Sequence, residues 1–203
     1  EMAETAHSYG ATIEGELGHV GDNPDSAEGD SHLEDPSRFF TDPKMAKDYV
    51  EKTGVDALAI AVGNAHGAYK LPPKLDFERI RTIADTVKVP LVLHGGSGLT
   101  DNDFRRAIQE GISKVNIFTD INVAAVEAEF KKFDSMNKGI IDLIPAAVEA
   151  VKQECQKKME LFSSCGHGRD FEGGISNKKI PVEEADRAKL VEMIVAEVKR
   201  QLS

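Results

Sequence analysis

Residues 89 to 111, "VPLVLHGGSGLTDNDFRRAIQEG", contain one complete strand-and-helix unit. The apolar run at 89 to 96 predicts a strand buried on both faces, as in a parallel sheet that helices cover. The polar-apolar pattern that follows predicts a helix with Thr100 or Asp101 as N-cap and Gly111 as its end. The segment therefore predicts an α/β fold.

Three further strands and two further helices repeat this arrangement. The predicted strands are "ATIEGELG" (11 to 18), "DALAIAVG" (56 to 63) and "SKVNIFTD" (113 to 120), and the predicted helices are "DPKMAKDYVEKTG" (42 to 54) and "LDFERIRTIADTV" (75 to 87). Strand starts recur at the period of a β-α-β chain, so we expect four parallel strands in sequential order.

This period suits either a (β/α)8 TIM barrel or an open doubly wound sheet. Glycines placed just after strand ends favour the barrel, where loop backbone approaches a ligand closely: Gly63, Gly67, Gly95, Gly96 and Gly98. A closed barrel needs eight strands. We therefore expect these 203 residues to carry about the last four β-α units plus C-terminal helices, and an N-terminal half of the barrel to be missing.

Composition excludes several classes of partner. The formal charge is −10, from 35 acidic and 25 basic side chains, and no dense basic tract offsets it, so we expect no nucleic-acid partner. No apolar run approaches the roughly 20 residues of a membrane span, so we expect no membrane association. The two cysteines, Cys155 and Cys165, are too few for a disulfide framework, which favours a cytoplasmic location.

Two histidines follow neighbouring predicted strands. Because adjacent parallel strands lie roughly 4.8 Å apart, His66 and His94 could share one zinc ion. Glu16, at the end of the first strand, adds a carboxylate at the same edge and is a candidate third ligand. The alternative is that each histidine is buried and bonds a loop carbonyl.

The stretch "HGGSG" and the last strand suggest a phosphate site. Gly95 and Ser97 offer backbone N–H groups and a hydroxyl just before a helix N-terminus, an arrangement that binds phosphate. Asn116 and Thr119 lie at the carboxyl end of the last predicted strand, where barrels often bind phosphate. The alternative is that the glycines only form a tight turn.

Five motifs together resemble the C-terminal half of a class II, metal-dependent fructose-bisphosphate aldolase. They are "IEGELGHVG", "VDALAIAVGNAHGAYK", "LDFERI", "VPLVLHGGSG" and "SKVNIFTD", and the similarity runs from residue 1 to about 166. Tagatose-bisphosphate aldolases share the pattern. The resemblance implies a TIM-barrel lyase that cleaves a ketose 1,6-bisphosphate to dihydroxyacetone phosphate and an aldehyde through a zinc-stabilised enediolate.

The resemblance also implies roles for individual residues. It makes His66 and His94 zinc ligands, with Glu16 at the position of a carboxylate that contacts the metal in some members. The dihydroxyacetone phosphate end would be held, partly through a monovalent cation (Na⁺ or K⁺) in some members, by Gly67, Lys70, Gly95 and Ser97. The substrate-binding motif of the last strand would be Asn116 and Thr119, with Asn116 also a candidate catalytic residue.

The remaining catalytic groups are less defined. The aspartate-histidine motif that completes the family's site lies in its N-terminal half and has no counterpart here. Where the family often carries a catalytic glutamate on a loop, this chain offers three carboxylates, and the choice among them stays open: Asp22, Asp25 and Glu28. The implied partners are a phosphorylated ketose substrate, the missing half and further copies in a homo-oligomer. The alternative function is a non-catalytic phosphosugar-binding or scaffolding half-barrel.

The last part of the chain predicts helices and a separate tail. An apolar stripe predicts a helix packed in the core; its residues are Ile144, Val148, Val151, Cys155, Met159 and Phe162. Residues 167 to 203 read as a polar linker followed by an amphipathic helix. The expected domains are therefore 1–166, the half-barrel, and 167–203, the tail.

Overall fold

The computed structural model describes residues 1–18, 39–64, 74–135 and 137–167. Within these residues the elements, in chain order, are α1 (Met2–Ser8), β1 (Glu14–Leu17), α2 (Pro43–Thr53), β2 (Ala57–Ile60), α3 (Phe77–Thr86), β3 (Leu91–Leu93), α4 (Asp101–Gln109), β4 (Ile112–Val115), α5 (Thr119–Phe133) and α6 (Ile140–Leu161). None of the helices in these ranges is long and apolar enough to cross a membrane.

The chain divides into two compact units. The first, Glu1–Ser164, contains all ten elements. Only residues 165 to 167 of the second unit, Cys165–Ser203, lie in the described part of the chain, so the predicted tail helix lies outside it. The domain boundary at 166/167 stays a prediction.

The four strands form one parallel sheet in the order β1-β2-β3-β4. This confirms the predicted α/β class and the sequential order. The strands are shorter than predicted, and the last one differs most. Strand β4 ends at Val115, and Thr119, which was expected in the strand, is the first residue of α5.

Local capping signals explain where the covering helices begin and end. The Asp42 carboxylate accepts hydrogen bonds from the Lys44 and Met45 N–H groups, and Gly54 ends α2 in the left-handed conformation. At α4 the N-cap is Thr100, because its hydroxyl and the Asp103 carboxylate form a reciprocal capping box. Both helix boundaries follow from side chains visible in the sequence.

The apolar core lies between the sheet and its helices. Alternate strand residues, Leu58 and Ile60 on β2 and Leu91 and Leu93 on β3, are fully buried against helix residues that include Ile80, Ile83 and Phe104. Gly15 on β1 allows a close approach to this layer, since a Cβ there would lie 2.8 Å from the Tyr49 ring. The other sheet face carries the residues in between, and it holds the candidate site.

Helices α5 and α6 pack mainly against each other, and this corrects one prediction. The stripe on α6 was expected in the core, but Ile144 and Val148 are 51% and 61% exposed and Cys155 is only partly buried. The α6 end does reach the core, where Leu161 is buried and the Phe162 ring lies 5.0 Å from that of Phe104. Within the rest of the stripe Met159 is 49% exposed and Val151 is only partly buried.

Substituting Gly63 should destabilise the fold more than substituting Gly54. Both have positive φ angles, +98° and +68°, so alanine strains the backbone at either site, by about 1 kcal/mol. At Gly63 the new Cβ would also overlap the Lys74 carbonyl oxygen, whereas at Gly54 the nearest neighbour is 4.0 Å away. In urea unfolding, Gly63→Ala should cost at least about 1 kcal/mol more than Gly54→Ala; equal losses would contradict this packing.

We expect Asp56 to make the stability of the fold depend on pH. Its carboxylate accepts the Ile13 N–H at 2.8 Å and pairs with His7 Nε2 at 2.9 Å, which ties α1 and β1 to β2. The hydrogen bond from Ile13, together with that from His7, lowers the pKa of Asp56. A lowered pKa means that the stabilisation is complete above the unfolded-state pKa of about 3.9 and is lost as pH falls through the folded-state value.

We therefore expect Asp56→Asn to lower Tm at pH 7, with the difference from wild type shrinking below about pH 4. The control is Asp85→Asn, since the described residues provide no hydrogen-bond partner for that exposed carboxylate. A Tm difference for Asp56→Asn that stayed constant from pH 7 to pH 3 would refute the role of its charge.

Candidate functional site

The candidate site lies on the sheet face opposite the apolar core. Because side chains alternate along a strand, Glu14 and Glu16 of β1 share this face. Lys114 of β4 and Asn116 just after it also lie on it, since a register shift in β4 places Lys114 on the face opposite to the core residue Ile112. His94 follows β3 directly and lies between these two groups. The face is polar at both edges.

The His94 ring is held between two carboxylates. Its Nε2 lies 2.8 Å from Glu14 Oε1, and its Nδ1 lies 3.5 Å from Glu16 Oε2. An ionised carboxylate only accepts hydrogen bonds. The short contact therefore assigns a proton to His94 Nε2, which donates it to Glu14. The ring is largely buried, with 17% of its side chain exposed, and its orientation is therefore well defined.

Glu14 divides its two oxygens between two donors. Oε1 faces His94, and Oε2 accepts a hydrogen bond from Lys114 Nζ at 2.8 Å. Lys114 Nζ also donates to Asn116 Oδ1 at 2.9 Å. Partial burial alone would raise the pKa of Glu14, but the bonds from Lys114 and His94 outweigh burial and lower it. Glu14 is therefore ionised at neutral pH.

The loop from β3 to α4 is fixed from both sides. Buried Asn64 donates its amide to the His94 carbonyl at 2.9 Å and accepts the Val62 N–H at 2.8 Å. Gly96 is packed so closely that a Cβ there would lie 3.0 Å from the Phe104 ring. Ser97 is 5% exposed, and no described residue is a partner for its hydroxyl. A buried hydroxyl of this kind usually serves a ligand or an ordered water.

The pair of His94 and Glu16 suits zinc. Two ligands of one tetrahedral zinc ion, each about 2.0–2.2 Å from the metal, lie about 3.3–3.6 Å apart, and the Nδ1 to Oε2 distance is 3.5 Å. Imidazole and carboxylate are also ligand types that zinc accepts. Within the described ranges, however, no group of three His, Cys, Asp or Glu side chains is arranged to hold a metal, so any third ligand would come from elsewhere.

The structure brings together some of the predicted site residues. His94, Glu16 and Asn116 lie on one face; Gly95 and Ser97 lie in the loop after His94, and Thr119 begins α5. The other predicted residues lie outside the described residues; they are His66, Gly67, Lys70, Asp22, Asp25 and Glu28. Their proposed roles therefore stay predictions.

Sequence reasoning did not single out Glu14, Lys114 or Asn64. The signal for the first two was present, since each lies two residues before a residue that was predicted, Glu16 or Asn116, and therefore on the same strand face. Asn64 gave no comparable signal, because its amide bonds the backbone carbonyl of His94, which follows a different strand. These three residues hold the candidate site in place.

Comparisons with known proteins identify the family of the chain. Residues 1–167 match the family model for class-II fructose-bisphosphate aldolase. The Escherichia coli K12 protein YdjI, described as uncharacterized, is 40% identical over 166 residues, which are 82% of this chain and 57% of YdjI. The chain thus spans little more than half the length of this curated relative.

Solved structures give the same result. The crystal structure of the E. coli YdjI aldolase superposes with a TM-score of 0.67 at 37% identity, covering 81% of this chain and 54% of YdjI. A Coccidioides immitis protein provisionally assigned as a fructose-1,6-biphosphate aldolase gives 0.70 at 29% identity, covering 83% and 57%. Campylobacter jejuni fructose-bisphosphate aldolase, at 24% identity and a TM-score of 0.61 over 80% and 54%, supports the fold alone.

The parallel sheet and these matches are consistent with part of a TIM barrel. The family model covers most of the chain, and the match to the relative at 40% identity covers 82% of it. The predicted resemblance is therefore confirmed: the chain belongs to the class II fructose-bisphosphate aldolase family.

Proposed function

We propose that this chain is the C-terminal half of a zinc-dependent aldolase that cleaves a ketose 1,6-bisphosphate to dihydroxyacetone phosphate and an aldehyde. The observation that carries the proposal is His94 held between Glu14 and Glu16 on the polar face of the sheet, with Asn116 linked to the same group. Family membership supports the aldol reaction, a lyase activity.

The metal would be held by His94 and Glu16, together with His66. The ring orientation of His94 and its 3.5 Å separation from Glu16 support the first two ligands; the third rests on the family resemblance. Zinc acts in such a site as a Lewis acid that polarises a carbonyl oxygen. The role of the chain is to fix the ligands before substrate arrives, so that no reorganisation is needed during the reaction.

The phosphate of the dihydroxyacetone end would bind in the loop before α4. Ser97 supports this proposal, because its buried hydroxyl has no partner among the described residues, and Gly95 has a positive φ of +61° that turns the backbone there. The α4 N-terminus adds a favourable dipole for an anion. Gly67, Lys70 and a Na⁺ or K⁺ ion would complete this site by the family resemblance.

Asn116 would contact the substrate through its amide N–H group. Its Oδ1 accepts from Lys114, so the Nδ2 donor faces away from Lys114 and can bind a substrate oxygen. Thr119, at the first turn of α5, would bind the same part of the substrate. Proton transfer would fall to one of the loop carboxylates Asp22, Asp25 and Glu28.

The proposed partners are the rest of the barrel and further copies of the protein. A sheet of four strands has two edges, and an eight-stranded barrel closes them. On α5 and α6, large apolar side chains are exposed, among them Phe130 at 75% and Ile141 at 67%. Exposed apolar clusters of this kind mark protein interfaces, which supports a homo-oligomer.

The test is cleavage of fructose and tagatose 1,6-bisphosphates by residues 1–203 with zinc, alone and co-expressed with the part of YdjI outside the match. With the barrel completed, we expect cleavage that a chelator abolishes. His94→Ala should reduce kcat/KM at least about 100-fold, since it removes a zinc ligand. The control is His7→Ala, which removes an exposed histidine of α1 that pairs with Asp56. This variant should leave kcat/KM unchanged.

Two results would contradict the proposal. A folded complex that binds zinc but cleaves neither sugar would favour the scaffolding alternative. Cleavage that persists in His94→Ala would place the chemistry elsewhere in the molecule.

A further inference from the structure

We infer that Glu14 and Lys114 are positioning residues for the metal centre: Glu14 fixes the ring of His94, and Lys114 fixes both Glu14 and Asn116. This inference rests on the proposed function, because it concerns the residues that would hold zinc and substrate there. Neither side chain would touch the metal in this arrangement. Each would act through the residue that it holds.

The first step is the orientation of His94. A histidine can turn its ring, and either nitrogen can carry the proton, so an unsupported ring presents the wrong atom part of the time. The 2.8 Å contact directs the Nε2–H of His94 to Glu14 and leaves Nδ1 facing Glu16. Histidine ligands of metals commonly donate their other ring N–H to a carboxylate in this way.

The second step is the orientation of Glu14 itself. Its carboxylate could rotate away from His94 if only one oxygen were held. Lys114 Nζ binds the other oxygen at 2.8 Å, so both ends of the carboxylate are fixed and its negative charge is balanced. Lys114 belongs to β4 and Glu14 to β1, so the contact also connects the two outer strands of the sheet.

The third step extends from Lys114 to the substrate side. The same ammonium group donates to Asn116 Oδ1 at 2.9 Å, which fixes how the Asn116 amide is turned. One chain of hydrogen bonds therefore orients His94 and Asn116 together. Asn64 supports the same histidine from its backbone, through a bond to the His94 carbonyl.

A simpler role must be separated from this one, because an ion pair between Glu14 and Lys114 could serve only to neutralise two charges. Three variants distinguish the roles: Glu14→Met, Lys114→Met and the double variant. The double variant leaves neither charge unbalanced but removes the Glu14 acceptor from His94 Nε2. The matched control is Glu110→Met, since the Glu110 side chain is only 12% exposed and accepts from Arg81 at 2.6 Å outside the site.

The experiment measures the zinc dissociation constant by competition with a chelator, Tm of the zinc-free protein, and the visible spectrum of the Co²⁺-substituted protein. The protein used is the completed barrel described above. We expect Glu14→Met to weaken zinc binding about 10- to 100-fold and to change the cobalt spectrum. Lys114→Met should weaken zinc binding less, and Glu110→Met should not change it.

The double variant gives the decisive comparison. Positioning predicts that Tm returns toward the wild-type value while zinc affinity stays reduced. Recovery of both quantities would overturn the inference, because Glu14 would then only balance Lys114, and an unchanged zinc affinity in Glu14→Met would overturn it as well. If the methionine variants do not fold, Glu14→Gln replaces them, with an expected loss of several-fold in zinc affinity, since one amide oxygen cannot serve both donors.

Failure of this inference differs from failure of the proposed function. In the first case wild-type protein binds zinc and the variants bind it equally well. In the second case wild-type protein binds no zinc or cleaves no sugar bisphosphate, and the positioning role is refuted with it.

Discussion

The arrangement of this site depends on the contacts that the Glu14 carboxylate makes with His94 and Lys114. This carboxylate connects β1 with β4, although two strands lie between them and parallel strands are spaced about 4.8 Å apart, which makes roughly 14 Å across a flat sheet. The two side chains project from the same face of the sheet, and together they span the two inner strands.

One face of the sheet packs against the helices, and the other carries the candidate site. Leu58, Ile60 and Leu93 on one face bury apolar surface against the helices, which supplies stability at about 25 cal/mol per Å². Residues in between, such as Glu16 and Lys114, face the other side and supply ligands and charge. On β1, alternation alone puts Glu14 and Glu16 on the site face, whereas on β4 a register shift is needed to turn Lys114 away from the core residue Ile112.

The sequence predicted the parts of this structure that depend on local signals. Asp42 before a proline and Gly54 at a helix end define α2 by themselves, because caps act within a few residues. The sequence left open whether Thr100 or Asp101 is the N-cap of α4, since either side chain can accept a hydrogen bond from the first turn. The structure shows that Thr100 is the N-cap, because it forms a capping box with Asp103. His94, Glu16 and Asn116 were found because each lies at or just after the carboxyl end of a predicted strand, and these ends lie at one edge of the parallel sheet.

The parts that escaped prediction depend on contacts distant in sequence. Glu14 bonds residues 80 and 100 positions away, and no local pattern states which strand will lie opposite. The apolar stripe on α6 was expected in the core because periodicity shows that a face is apolar but not what covers it. Ile144 and Val148 lie on that stripe and are exposed here.

A crystal structure of the zinc-loaded protein, at a resolution that defines the His94 ring, tests the central claim most directly. We predict zinc bound to His94 through Nδ1, with Nε2 still within hydrogen-bond distance of Glu14 Oε1 and Lys114 still paired with the same carboxylate. Zinc bound through Nε2, with Glu14 displaced from the ring, would contradict the account.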